Sequence, residues 1–202
     1  MRKKTFDLLL VAFGLIGLSA CTSTTIQTST YTAQIPTLKV CSGYGCQLGE
    51  RFQPTESEVA KIDSIMAGGV GSAEAERQSI KQAIGYFERV ARGHLRYKPD
   101  IKKAYQKNIG KRGQMDCIDE SLNTTGYLKF IESRGLLKHH SVRKRYAARG
   151  LIVDGRYPHK SAVIDEINGP SWSVDSWYHA DGVEPEIMKL SDWRRVRDSF
   201  GS

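Results

Sequence analysis

Gln114-Met115-Asp116-Cys117-Ile118-Asp119-Glu120-Ser121-Leu122 is the stretch on which the reading of the fold turns. Asp116 is a good N-cap, and Asp119 stands three residues further on, as in a capping box. A helix is therefore expected to begin at Cys117, with Ile118, Leu122, Thr125 and then Leu128 or Ile131 on one face, and Gly135 ending it. Beyond Gly135 the period changes. His140 to Tyr146, Leu151 to Val153, Lys160 to Ile167 and Trp172 to Trp177 read as strands, with Asn168-Gly169-Pro170 as a turn. Upstream lie two helical stretches. Ser57 to Ala67 spaces Val59, Ile62, Ile65 and Met66 helically, with Thr55 or Ser57 as cap. Ala73 to Leu95 carries the stripe Ile80, Ile84, Phe87 and Ala91. Residues 96–113 are basic and broken by Pro99, Gly110 and Gly113, which leaves a loop with at most a short helix around Ile101 to Tyr105. Helices first and antiparallel strands after them make an α+β pattern without internal repeats.

The remaining composition is ordinary. The chain has 202 residues, 40% of them hydrophobic and 26% charged, which excludes a disordered or collagenous protein. The formal charge is +8, which raises the question of nucleic acid. The N-terminus argues against that partner. Met1-Arg2-Lys3-Lys4 is a basic start, and Leu8 to Ala20 is an apolar run too short to span a bilayer, which needs roughly 20 residues. The run ends Leu18-Ser19-Ala20-Cys21, which resembles the lipobox of bacterial lipoproteins. That resemblance implies a leader over 1–20, lipid on Cys21 and export to the envelope. Thr22 in place of Asp points to the outer membrane, facing the periplasm. Loss of the leader removes Arg2, Lys3, Lys4 and Asp7 and leaves about +6. Residues 22–37, rich in Thr, Ser and Gln, read as a tether. The expected division is leader 1–20, lipidated Cys with tether and small Cys loop 21–54, and one folded domain over 55–202.

Three further cysteines remain. Cys41-Ser42-Gly43-Tyr44-Gly45-Cys46 reads as a local disulfide in an oxidising compartment. A zinc site on the same pair is the competitor, but no second ligand pair is recognisable and no metal is assigned. Cys117 is then a leftover thiol in an exported protein, either reactive or a buried small hydrophobe.

Cys117 at a helix start, His159 at a strand start and Asp175 in the neighbouring strand make a nucleophile, a base and an orienting acid. A helix N-terminus and an imidazolium can lower a thiol pKa from about 8.5 to roughly 3.5–7.5. Such a shift is expected of Cys117, with the side chains of Asp116, Asp119 and Glu120 turned to the cap and solvent. Hairpin geometry is a check. A turn centred on Ile167 puts Asp175 opposite His159, whereas a tight Asn168-Gly169 turn puts it opposite Ala162, roughly 10 Å off at ~3.3 Å per residue.

Met115-Asp116-Cys117-Ile118-Asp119, His159-Lys160-Ser161-Ala162-Val163-Ile164 and Trp172-Ser173-Val174-Asp175 in this order resemble the transglutaminase-like superfamily, most nearly the bacterial transglutaminase-like cysteine proteinases. The resemblance covers about residues 75–180. It implies a papain/transglutaminase-like core and thiol acyl transfer through Cys117, His159 and Asp175, hydrolysing an amide or peptide bond of an envelope protein or peptide, without a cofactor. The family's Gly before Asp-Cys is Met115 here, and Gln114 is the candidate oxyanion side chain. The alternative is a non-catalytic binding or assembly lipoprotein that kept the fold. Other features weigh less. His139-His140 with Arg143, Lys144 and Arg145 reads as a solvated basic strand face or an anion contact. His179 and Asp181 are substitute triad members, His94 a helix C-terminal residue, and Trp172, Trp177 and Trp193 packing residues.

Overall fold

The computed structural model describes residues 34–103, 108–150 and 157–197. The leader, Cys21, the tether up to residue 33 and the expected strand Leu151 to Val153 lie outside the described residues, as does the end of the expected helix at 101–105. Residues 102 and 103 lie in a turn and Ile101 in no regular element.

The chain enters as a hairpin, β1 (Leu38–Ser42) and β2 (Leu48–Phe52), before the helices α1 (Glu56–Ala67), α2 (Ala73–Leu95) and α3 (Cys117–Ser133). The strands β3 (His140–Val142), β4 (Ala147–Arg149), β5 (His159–Glu166), β6 (Ser171–Asp175) and β7 (Glu186–Lys189) follow, and a single helical turn, α4 (Leu190–Trp193), is the last element among the described residues. Mixed helices and antiparallel sheets bear out the α+β expectation. The opening hairpin does not fit the simpler order of helices first. Residues 34–54, set outside the domain by the expected division, belong to the same compact unit, which begins at Gln34. Leu38, Val40 and Phe52 are buried with Ile62, Ile84, Phe87, Leu128 and Ile164 in the main core.

The helices begin where cap chemistry places them. Thr55 caps α1 with Glu58 closing the box, Ser72 caps α2, and Asp116 caps α3 with Asp119 closing its box. Phe87 of α2 stacks on Tyr127 of α3 at 4.9 Å and meets Phe130 edge-on at 5.4 Å. The face expected of α3 is corrected. Leu122 is 38% exposed, whereas Glu120, Asn123, Thr124, Tyr127, Leu128 and Ile131 are buried. The first half of that helix buries polar groups that bond outward to other elements, so hydrophobic spacing does not mark its inner face. Thr124 Oγ1 meets Ser176 Oγ at 3.2 Å, and Asn123 bonds both the N–H and the carbonyl of Cys41.

The sheet runs β3-β5-β6-β7, with β4 also on β5. Of the expected strand His140 to Tyr146 only His140–Val142 is strand; residues 143–146 are not, and β4 follows them at Ala147–Arg149. β3 pairs with the end of β5 (Val142 with Ile164) and β4 with its start (Ala147 with Ser161), with a register slip between them. The β5–β6 turn is neither of the two considered. Glu166 N–H donates to Pro170 O at 3.2 Å, and Asn168 takes a left-handed φ of 60°, so Ile167, Asn168 and Gly169 form the turn. Ala162 pairs with Val174, which sets Asp175 beside Ser161, diagonal to His159 and on the same face. Ala162, Ile164 and Val174 face the helices. Val163 packs on the other face with Leu190 and Trp193 of α4.

Several carboxyl groups are buried between α2, α3 and the loop after β6. Gly85 of α2 lets that loop approach: a Cβ there would stand 3.3 Å from Glu184 N and Gly182 O. Glu88 then accepts the Gly182 N–H at 2.7 Å. Burial pushes Glu88 up to about 8 and Asp100 to about 7, and it raises Glu120 strongly. A raised carboxyl pKa means that the folded state holds more protons than the unfolded one between the two pKa values, so stability falls as pH rises through that window. Glu58, Glu76, Glu132 and Asp165 are shifted down by their partners and lose stabilisation only in acid. The melting temperature is therefore expected to be highest near pH 5 and to fall by several degrees toward pH 8.5, and Glu88→Gln should flatten that fall. A melting temperature that rises between pH 5 and 8.5 would contradict this.

Candidate active site

The site is built where the head of α3 meets the start of β5. Asp116 Oδ1 accepts the N–H groups of Ile118 at 3.0 Å and Asp119 at 2.9 Å, and its backbone oxygen accepts that of Glu120. The N–H of Asp116 itself donates to Asp119 Oδ2. Among the described residues the Cys117 N–H alone in this first turn has no acceptor. Cap chemistry thus leaves one free amide, on the residue that carries the thiol.

Cys117 is a free thiol, 6% exposed. Its sulfur lies 3.9 Å from Pro158 O, and the Lys160 backbone N–H points at it, so it rests against the two peptide groups that flank His159. His159 Nε2 and Asp175 Oδ2 are 2.7 Å apart, with both side chains fully buried. The imidazole is enclosed by Trp177 at 4.7 Å, Tyr178 at 5.6 Å and Trp193 at 5.7 Å between ring centroids. Its other nitrogen, Nδ1, is buried and has no hydrogen-bond partner among the described residues. The structure therefore joins His159 to Asp175 and brings Cys117 alongside the backbone of His159, while the thiol's hydrogen bond runs to Pro158 O.

The expectation of a depressed thiol pKa is overturned. Burial pushes the Cys117 thiol up to about 12, the charges of Asp116 and Asp175 add to that, and the Lys160 N–H and ammonium oppose it. At neutral pH the resting sulfur is a thiol. Asp119 and Glu120 do not turn to solvent either, since they are 0% and 5% exposed. Asp119 reaches away from the sulfur instead and accepts the N–H groups of Tyr44 at 2.8 Å and Cys46 at 2.6 Å. Those residues belong to the Cys41–Cys46 loop, which the structure closes by a disulfide as expected. Gly45 N–H donates to Asp116 Oδ1, and Gly43 N–H to Gln114 O at 2.7 Å. The disulfide loop is thus seated on the cap of the thiol-bearing helix, a role that its spacing alone does not reveal.

Other expectations are revised. The Gln114 amide donates to Pro99 O at 3.2 Å and accepts from Asn108, so it is engaged away from Cys117. His140 is not on a solvated face: its Nδ1 meets buried Glu76 at 2.8 Å. Arg143 pairs with Asp165, His179 with Glu186 and Asp181 with Arg92, so neither substitute triad member approaches Cys117 in these pairings. His94 pairs with Glu58, and Arg96 is the C-cap of α2. Trp193 is the site residue that sequence reasoning missed. Its indole N–H donates at 2.7 Å to Asp175 Oδ2, the oxygen that His159 also uses. Arg149 donates to Trp193 O and lies 4.7 Å over its ring. Nothing in the sequence signals this contact, because Trp193 reaches Asp175 through α4, which is too short to carry a periodic pattern.

In comparisons with known proteins, no family model, no curated protein and no solved structure matches the chain.

Proposed function

We propose that the protein is an envelope lipoprotein with a transglutaminase-like core that transfers acyl groups through Cys117 and hydrolyses an amide or peptide bond of an envelope protein or peptide. The observation that carries this reading is the His159–Asp175 pair at 2.7 Å, whose remaining ring nitrogen is buried and unpartnered on the residue between the two peptide groups that the Cys117 sulfur meets. An imidazole held by a carboxylate through Nε2 has Nδ1 as its working atom. With a thiol near 12 and no thiolate at rest, the proton leaves as attack begins. Substrate entry has to bring the sulfur from Pro158 O around the start of β5 to Nδ1, because His159 shares its sheet face with Asp175 and Trp193 while α3 packs on the other. Sγ bonds to the acyl carbon, the proton passes to Nδ1, and the imidazolium returns it to the leaving amine. Water then attacks the thioester with Nδ1 as base and releases the acid and the thiol. In this reading the Cys117 N–H donates to the developing oxyanion beside the sulfur. The lipobox-like leader and Cys21 support a lipid anchor in the outer membrane, facing the periplasm.

A second reading has its own observation. A thiol raised to about 12 and bonded to a carbonyl is also what a structural cysteine in a non-catalytic binding or assembly lipoprotein would look like. A minimal acyl donor separates the two. With p-nitrophenyl acetate the catalytic reading expects a burst of one equivalent of p-nitrophenol and one acetyl group on Cys117. Both should be lost in Cys117→Ala and slowed about 100-fold or more in His159→Ala. Acetylation of Cys117 that is equally slow with and without His159 would favour the binding protein.

A further inference from the structure

A concave feature lies on the basic loop that precedes α3. It is a cavity of about 460 Å³ between residues 98–101 and 108–114. Lys98, Lys111, Arg112, Asn108 and Gln114 supply its polar lining and Ile101 part of its apolar wall. Arg112 is balanced by Glu50 at 2.5 Å. Lys98 and Lys111 form no ion pair with a carboxylate among the described residues. Asp100, the acid nearest in sequence, turns inward and accepts the Met115 N–H at 3.0 Å, and Asp116 is bound to the cap of α3.

The pocket is held in shape before any ligand arrives. Lys111 Nζ donates to Asn108 Oδ1, Asn108 Nδ2 to Gln114 Oε1, and Gln114 Nε2 to Pro99 O, a relay anchored on Asn108, which is only 8% exposed. The disulfide loop clamps the same segment through Gly43 N–H to Gln114 O and Gly110 N–H to Gly43 O. The pocket is also close to the thiol. Gln114 precedes Cys117 by three residues, and consecutive Cα atoms are 3.8 Å apart, so the two Cα atoms are at most ~11 Å apart. A peptide bound at Cys117 covers that span with two or three residues.

Resting on the reading of Cys117 as the nucleophile, we infer that this pocket is a subsite for an acidic side chain, and that the preferred substrates are acidic peptides with a glutamate or aspartate within about three residues of the scissile bond. Lys98 and Lys111 bind the carboxylate, and Ile101 packs on the methylene stem. Charge-assisted bonds of this kind are worth a factor of ten or more in affinity when they replace a neutral amide contact.

The test reads protection of Cys117 in the full chain. Iodoacetamide alkylation at Cys117, followed by mass mapping, is measured against rising concentrations of two acetylated, amidated tetrapeptides, Ala-Ala-Glu-Ala and Ala-Ala-Gln-Ala. The glutamyl peptide is expected to protect at about tenfold lower concentration. In Lys98→Gln/Lys111→Gln the two peptides should protect within about twofold of each other. Equal protection in the wild type, or a glutamyl preference that survives the double substitution, would overturn the subsite. These outcomes are separate from the nucleophile reading, which fails if alkylation itself is indifferent to His159→Ala, whichever peptide protects.

Discussion

Asp175→Asn is expected to reduce acyl transfer by about 1,000-fold or more while leaving the fold in place. Both donors to this residue, His159 Nε2 and Trp193 Nε1, meet one oxygen, Oδ2, at 2.7 Å each. An asparagine can put its carbonyl oxygen in that position and accept both bonds, so the geometry survives. What is lost is the negative charge that stabilises the imidazolium formed when Nδ1 takes the thiol proton. Without it the ring is a weaker base at the moment of attack. The check is the p-nitrophenol burst rate, with thermal melting as control. Trp193→Phe removes one donor and leaves the charge, so its burst should fall far less. A burst rate in Asp175→Asn within tenfold of the wild type would show that the pair has no part in moving the proton.

The other large effect falls on stability. Asp119→Ala is expected to cost about 3 kcal/mol or more in denaturant unfolding. The carboxylate is 0% exposed and accepts N–H groups from Tyr44, Cys46 and Asp116. Alanine leaves those donors without an acceptor and breaks the capping box of α3 at once. Part of the loss is offset, because burial and the charge of Asp116 already push this carboxyl up to about 6 and make it costly to keep ionised. Asp119→Asn can accept on one oxygen only and should fall between the two. A loss below about 1 kcal/mol for the alanine variant would mean that the disulfide loop is held by its packing rather than by this acid.

The pattern of what was legible follows from where the information sits. Helix starts are encoded within four residues, so Asp116-Cys117-Ile118-Asp119 announces α3 at the residue where the structure begins it. The spacing of Ile80, Ile84 and Phe87 likewise marks α2, and those residues are fully buried. The hairpin β1–β2 was not read, because Leu38 to Phe52 alternates weakly and its significance lies in contacts to α3 some 75 positions away, such as Tyr44 N–H on Asp119. The relation of His159 to Asp175 hung on one residue of turn length, which propensity does not fix. Asn168 in the left-handed region decides it and gives a diagonal pair rather than an opposite one. The thiol was misread for a different reason. Residue types show a helix start and a histidine, both of which lower a thiol pKa, but burial at 6% exposure and the facing charges of Asp116 and Asp175 are properties of the packed site and outweigh them.

The central claim is that His159 removes the Cys117 proton. The most direct measurement is the pH dependence of Cys117 alkylation by iodoacetamide in the wild type, with His159→Ala and Asp100→Asn beside it. A thiol near 12 that acts alone is only about one part in 100,000 ionised at pH 7, and its rate climbs tenfold per pH unit all the way up. A thiol served by an imidazole does not depend on being ionised beforehand, because its proton passes to the ring during attack. In the wild type and in Asp100→Asn the rate at pH 7.5 is expected to be at least about 100-fold above that of His159→Ala, whose rate climbs with pH without inflection. A wild-type profile that climbs steadily past pH 10 and is unchanged by His159→Ala would contradict it.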